Sequence, residues 1–254
     1  MKQKVKIAIE RLQMFEPPEG LYLAFSGGKD SQAIYHLAKE AGVKFDSHFN
    51  FTTVDPPEVL KFIKENYPDV EWHRPKMSMF QLIVAHGAPP TSQMPYCCEE
   101  LKEQGGIGRI VVTGIRTGES RNRANRILIS HCQSLGKTFL CPILDWTESD
   151  VWGYLNSRGI SHCQLYDEGY RRIGCIMCAK KTPLQKCIDA IRYPKYYKAY
   201  MNSFGKMIKR RKDTGKECSW ETPEDVWNWW IKNYDMGRAE KINDAKLAQI
   251  RMEL

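Results

Sequence analysis

Residues 21–42, LYLAFSGGKDSQAIYHLAKEAG, constrain the fold of this chain more than any other stretch. The apolar run LYLAFS breaks at Gly27-Gly28 and gives way to DSQAIYHLAKEAG, in which Ala33, Ile34, Leu37 and Ala38 recur at helical spacing. Gly42 supplies the helix stop. The sequence therefore predicts a strand, a tight glycine loop and a helix in direct succession. Such a loop holds anions, because glycines let backbone N–H groups approach closely, the helix N-terminus carries positive potential, and Ser26 and Ser31 add hydroxyls. Lys29 adds a full charge, and Asp30 either orients the loop or helps to hold a phosphate-bound Mg2+. The two glycines are adjacent, so this is not the GxxxxGK pattern. A plain Gly-Gly turn is the bland alternative.

Further strands and helices alternate. VKFDSHFNF (43–51) reads as a second strand, and PPEVLKFIKENYP as a helix with prolines at its start and just beyond its end. RIVVTGI (109–115) is a near-continuous Val/Ile run of the kind a parallel sheet buries on both faces. In WTESDVWGYLNSRG, Thr147 precedes Asp150 by three residues, the spacing of a capping box. From Thr182 onward strand signals disappear, leaving helical stretches around 183–212 and 222–233. The expectation is an α/β, doubly wound, mostly parallel sheet with helices on both faces, spanning 1–180, and a helical C-terminal extension over 181–254. Ligands then bind at the carboxyl ends of the strands.

Composition narrows the class. With 42% hydrophobic residues over 254 positions, the chain can bury a sizeable core. The N-terminus lacks the apolar core of a signal peptide and no apolar run approaches a membrane span, so a cytoplasmic protein without membrane contact is expected. A formal charge of +8 favours an anionic partner, a nucleotide or a nucleic acid.

Nine cysteines in a reducing compartment argue against a disulfide framework. Cys97-Cys98 in PYCCEELK and Cys175 and Cys178 in RRIGCIMCAK supply four thiolates in two pairs. One tetrahedral zinc would force a two-residue segment to double back, whereas a 4Fe-4S cluster gives each sulfur its own iron. Cys132, Cys141, Cys163 and Cys187 are isolated and read as buried apolar groups. A thioredoxin-like CxxC is the remaining alternative.

After the third strand, GIRTGESRNR places arginines where a parallel sheet binds ligands, and Arg116 and Arg121 are the candidates for a nucleotide's anionic groups. Arg123 and Arg126 have no assigned direction. In the tail, Lys209, Arg210, Arg211 and Lys212 precede Trp220, Trp227, Trp229 and Trp230. Basic residues interleaved with aromatics suit single-stranded nucleic acid, although cations at a helix end and Trp at i, i+3 spacing have ordinary structural explanations.

SGGKDS resembles the loop of the N-type ATP pyrophosphatases, of adenine nucleotide alpha hydrolase-like fold, which cleave ATP between the α and β phosphates. From about residue 20 to 180, with CPILDWTESDVWGYL, LYDEGYRRIGCIMC and GIRTGESRNR, the chain also resembles the phosphoadenylyl-sulfate (PAPS) and adenylyl-sulfate reductases. The iron-sulfur branch of that family uses a Cys-Cys pair and a distant CxxC as ligands. The resemblance implies sulfur chemistry on an adenine nucleotide, in one of two forms. The intact loop favours an ATP-dependent sulfurtransferase that adenylylates an acceptor, a nucleic acid being admitted, before a sulfur donor displaces AMP. Lys29, Asp30 and Mg2+ would serve there. The alternative is a reductase using adenylyl sulfate or PAPS with a thioredoxin-like reductant. Its candidate nucleophile is Cys218 in KECSW, which keeps the Glu-Cys of that family's Glu-Cys-Gly-x-His context but lacks the following glycine and histidine. A non-catalytic nucleotide-binding subunit is the third reading, and homo-oligomerisation stays open.

Overall fold

The computed structural model describes residues 1–253. The chain forms two compact units that are interleaved in sequence: Met1–Asn50, Pro57–His73 and Glu103–Asp167 make the first, and Phe51–Pro56, Arg74–Lys102 and the chain from Glu168 onward make the second.

The first unit is built on a six-stranded sheet. Its strands are β1 (Leu21–Phe25), β2 (Phe45–Asn50), β3 (Glu71–His73), β4 (Ile110–Val112), β5 (Ile129–Cys132) and β6 (Lys137–Leu140), in the order β3-β2-β1-β4-β6-β5. Every pairing is parallel except β5 with β6. Its helices are α1 (Lys2–Met14), α2 (Lys29–Ala41), α3 (Pro57–Asn66), a short α6 (Arg121–Ala124) and α7 (Glu148–Ser157). β1 is central and buried, with Leu21 and Leu23 fully enclosed, which is why it reads as a continuous apolar run. Ala33, Ile34, Leu37 and Ala38, the predicted stripe of α2, are fully buried. Gly42 closes that helix in the left-handed conformation at φ 67°, and Thr147 with Asp150 forms the anticipated capping box at α7.

The sheet order carries functional weight. The chain builds outward from β1 through β2 to β3, then returns to place β4 on the other side of β1. The reversal makes the carboxyl ends of β1 and β4 the switch point at which α/β sheets bind ligands.

The second unit is helical: α4 (Met79–His86), α5 (Tyr96–Lys102), α8 (Pro183–Arg192), α9 (Pro194–Asp213), α10 (Pro223–Trp230) and α11 (Met236–Glu253). Leu82 and Ile83 of α4, Tyr200, Phe204 and Met207 of α9, and Val226, Trp227 and Trp230 of α10 share one apolar core. The stretch anticipated as one helix over 183–212 is two. Pro194 carries no N–H and pushes the preceding residue out of helical geometry, so Tyr193 takes φ −119° and ψ 64° and the chain turns there. The three-residue β3, the β5–β6 hairpin and α11 carry little periodic signal in the sequence.

Candidate functional site

The glycine loop leaves β1 at Ser26 and enters α2 at Lys29. Gly27 sits at φ +71°, and a Cβ there would meet Ile63 at 2.8 Å, so both conformation and space demand glycine. Gly28 is the N-cap and has no side chain of its own to cap the helix, so the first turn presents backbone amides beyond that of Lys29 to an anion. Ser31 draws the loop together: its hydroxyl donates to the Gly28 carbonyl at 2.8 Å and accepts from the Ser26 N–H at 3.2 Å. The Ser26 hydroxyl lies 3.2 Å from the same oxygen.

Lys29 is 3% exposed, with its ammonium 3.5 Å from Asp30 and 3.6 Å from Glu148 at the start of α7. Its backbone N–H donates to the Tyr166 hydroxyl at 2.9 Å. Burial, the largest influence, holds the Tyr166 phenol well above the usual tyrosine range, so this hydroxyl stays protonated.

Arg116 and Asp30 meet directly. The Arg116 side chain, 6% exposed, donates through Nε to Asp30 Oδ1 at 2.7 Å and through Nη1 to the Trp146 carbonyl at 3.4 Å. Gly114 makes the approach achievable, since a Cβ there would stand 2.8 Å from the Asp30 carbonyl carbon and oxygen. Asp30 is thus held between two cations, an arrangement suited to orienting the loop. Arg121 stands exposed at the start of α6, Arg123 pairs with Glu119, and Arg126 is exposed.

The second constellation lies wholly in the helical unit. Cys97 and Cys98 open α5, and Cys175 and Cys178 flank the buried Ile176 and Met177. The four influence one another: the Cys97 thiol is pushed far up, first by its hydrogen bond to Cys98, then by burial, Cys178 and Cys175. The CxxC turn is fixed from several directions. Ile176 N–H donates to the Val54 carbonyl at 2.7 Å, and the buried Asp189 accepts from Met177 N–H and from Lys181, each at 2.6 Å. Met177 takes the left-handed conformation at φ 51°, the tightest point of the turn. Thr52 Oγ1 lies 3.5 Å from Cys175 Sγ. Lys102, on α5 one turn after Cys98, is held in its charged form chiefly by Cys175, with Asp55 adding to the effect.

Cys218 is half-buried, and its thiol donates to the Trp220 carbonyl at 3.4 Å. Its segment is tied down by Arg211, whose Nε donates to the Glu217 carbonyl at 3.0 Å. Arg211 also reaches the Gly87 carbonyl at 2.8 Å, and Arg210 the Val84 carbonyl at 3.1 Å, so the middle of the basic run braces backbone. Lys209 and Lys212 are exposed. Trp227 and Trp230 are core, with Trp230 Nε1 donating to the Pro90 carbonyl at 2.7 Å, whereas Trp229 is exposed and lies against Trp220. All nine cysteines are free thiols; Cys141, Cys163 and Cys187 are buried as expected, whereas Cys132, at the end of the edge strand β5, is only partly covered.

Sequence reasoning missed Tyr166, Glu148 and Gly114 around the loop, and Thr52, Asp55, Lys102 and Asp189 around the cysteines. Lys102 alone had a local signal, its i, i+4 spacing from Cys98 on one helix. The others come from distant segments. No helix is long and apolar enough to cross a membrane among the described residues.

The adenosine 5'-phosphosulfate reductase of Shouchella clausii is 26% identical over 175 residues, covering 64% of this chain and 72% of that one. Adenosine 5'-phosphosulfate reductase 1 of Bacillus subtilis is 25% identical over 154 residues, covering 57% and 65%. Among solved structures, the phosphoadenylyl-sulfate (PAPS) reductase of Candida auris, a phosphate complex, superposes with a TM-score of 0.52 at 20% identity, over 66% of this chain and 87% of that one, a likeness of fold. The profile of the phosphoadenosine phosphosulfate reductase domain matches residues 20–181, the stretch from the start of β1 through the CxxC turn, and the chain belongs to that family.

Proposed function

We propose that this chain is an adenylyl-sulfate-using reductase that binds its nucleotide on the Ser26–Ser31 loop. The carrying observation is that one chain holds both an intact phosphate cradle and four cysteines drawn into one core cluster, while relatives are named adenosine 5'-phosphosulfate reductases. The loop amides and Lys29 take the phosphate, Arg116 acts through Asp30 by fixing the loop, and Arg121 is the exposed cation for the sulfate or a 3'-phosphate. A cysteine thiolate attacks the sulfur, the S–O bond to the nucleotide breaks, and AMP leaves with the electron pair. A thioredoxin-like dithiol then attacks the S-sulfocysteine at its cysteine sulfur, releasing sulfite and ending as a disulfide. Cys218 is the candidate thiol, and the reaction requires its release from the Trp220 carbonyl.

Cys97, Cys98, Cys175 and Cys178 fit a 4Fe-4S cluster, being four soft donors that are buried or half-buried beside one cationic side chain. Bound there, the cluster would keep the thiolates ionised and cross-link α5 to the CxxC turn.

A second reading, ATP-dependent sulfur transfer, is favoured by two observations. The loop is complete in Ser, Gly-Gly, Lys, Asp and Ser, and Cys218 is hydrogen-bonded within a braced segment. In that reading Lys29 would stabilise the departing pyrophosphate, and a bound Mg2+ would supply further positive charge there.

Anaerobically purified protein decides between them. Sulfite release from adenylyl sulfate or its 3'-phosphate plus thioredoxin, abolished by Cys218→Ser, supports the reductase. AMP and pyrophosphate formation from ATP and sulfide, dependent on Lys29, overturns it in favour of transfer. Iron with equimolar acid-labile sulfide supports the cluster, and stoichiometric zinc without sulfide refutes it.

A further inference from the structure

We propose that His48, Glu71 and His73, in the sheet unit, form a binding site for a divalent transition-metal ion of the zinc class, independent of the nucleotide loop and the cysteines. Parallel pairing of β2 with β3 sets His48 opposite Glu71 and Asn50 opposite His73. Residues two apart in a strand share a face, so Asp46, His48, Glu71 and His73 stand on one side of the sheet. The three ligand atoms lie within 4.8 Å of one another. His48 Nδ1 is 2.7 Å from His73 Nε2 and 3.5 Å from the Glu71 carboxylate, and His73 Nε2 is 3.7 Å from that carboxylate. These separations bracket the edge of a tetrahedron with bonds of about 2.05 Å, roughly 3.3 Å.

A second observation points at a metal. The other nitrogen of His48, Nε2, is hydrogen-bonded to Asp46, and Arg109 holds Asp46 through Nη1 at 2.6 Å. The Asp46 carboxylate takes the Nε2 side of the ring and leaves Nδ1 as the nitrogen aimed at His73 and Glu71, the arrangement of carboxylate–histidine–metal triads. The ring is also locked, stacked on Tyr22 with centroids 3.9 Å apart and planes 5° off parallel. The His48 side chain is 7% exposed, whereas His73 and Glu71 are 37% and 65% exposed, so the ligands close from the protein side and leave the outer positions to water. With two ligands on β3 and one on β2, the ion would staple a three-residue edge strand to its neighbour.

The test is a zinc titration of the full-length chain followed through histidine ring 15N shifts, which separates this site from any thiolate-bound ion. Expected are shifts at His48 Nδ1 and His73 Nε2, saturating at one equivalent, and slower amide exchange over residues 71–73. In His73→Ala and Glu71→Gln, both at partly exposed positions, affinity should fall at least about tenfold while the melting temperature without metal is kept. Asp46→Asn should weaken binding by about 10–100-fold. Unmoved ring nitrogens, or undiminished zinc binding by nitrogen ligands in His73→Ala, overturn the proposal.

Discussion

A methyl group added at Gly114 would press on the Asp30 carbonyl from 2.8 Å, and that carbonyl belongs to the first turn of α2. The first turn cannot recoil without moving the amides proposed to hold the phosphate. Overpacking of this kind costs about 1–3 kcal/mol. Gly114→Ala is therefore expected to weaken adenine nucleotide binding by about tenfold, read by calorimetric titration, alongside a modest loss of stability. In the helical unit, Asp189 plays the matching part for the cysteine turn. Asp189→Ala would leave the buried Met177 N–H without its acceptor, at about 1–3 kcal/mol. It should lower the melting temperature and the iron content together. An unchanged iron content would mean that the turn holds without it. The sequence showed Ser26–Ser31 and the cysteine pairs because their spacing is local, and gave no sign of Gly114 or Asp189, whose partners lie 84 and 12 residues away.

Capping and proline chemistry explain the elements. The box at α7 uses Asp150 where Glu or Gln is usual: Thr147 N–H and hydroxyl both donate to its carboxylate at 2.7 Å, and Lys4 of α1 pairs with it. The Lys4 hydrogen bond, followed by the Thr147 N–H, draws the Asp150 pKa down from 3.8 to about 2. A carboxylate with a depressed folded-state pKa contributes stability that is fully present above pH about 4 and disappears as the pH falls through about 2. Thermal melts of wild type and Asp150→Ala are expected to differ at pH 5 and to converge toward pH 2. A constant difference would show that the box does not titrate. Trp230 of α10 is a further anchor, buried and hydrogen-bonded to the Pro90 carbonyl. Trp230→Ala should cost about 3–5 kcal/mol, measured by denaturant unfolding. The strong elements were legible because periodicity, caps and prolines act within a few residues. The three-residue β3 was not, because a strand that short has no period of its own and forms only by pairing with β2.

At the scale of the molecule, the interleaving of the units sets what can be cut. Residues 51–56, 74–102 and those from 168 onward share one core, so the helices after residue 180 complete a unit that the chain begins far earlier. A fragment 1–180 would strip Tyr200, Phe204, Met207, Trp227 and Trp230 from the core around Leu82 and Ile83. It is expected to be soluble only with a disordered 74–102 segment and to bind no cluster, measured by amide NMR and iron analysis. A well-dispersed spectrum for residues 79–86 would disprove this. What the sequence by itself determined is what neighbours along the chain decide: the strand–loop–helix cradle, the two cysteine pairs, the helix caps, and the family to which such a series belongs. Tertiary structure decided the pairing of Arg116 with Asp30, the bracing of the CxxC turn by Asp189 and Val54, and the meeting of His48 with Glu71 and His73. The physical reason is range. Hydrogen-bonded turns and hydrophobic periods are written within a few residues, whereas contacts between distant segments exist only once loop closure has been offset by burial of the cores that bring them together.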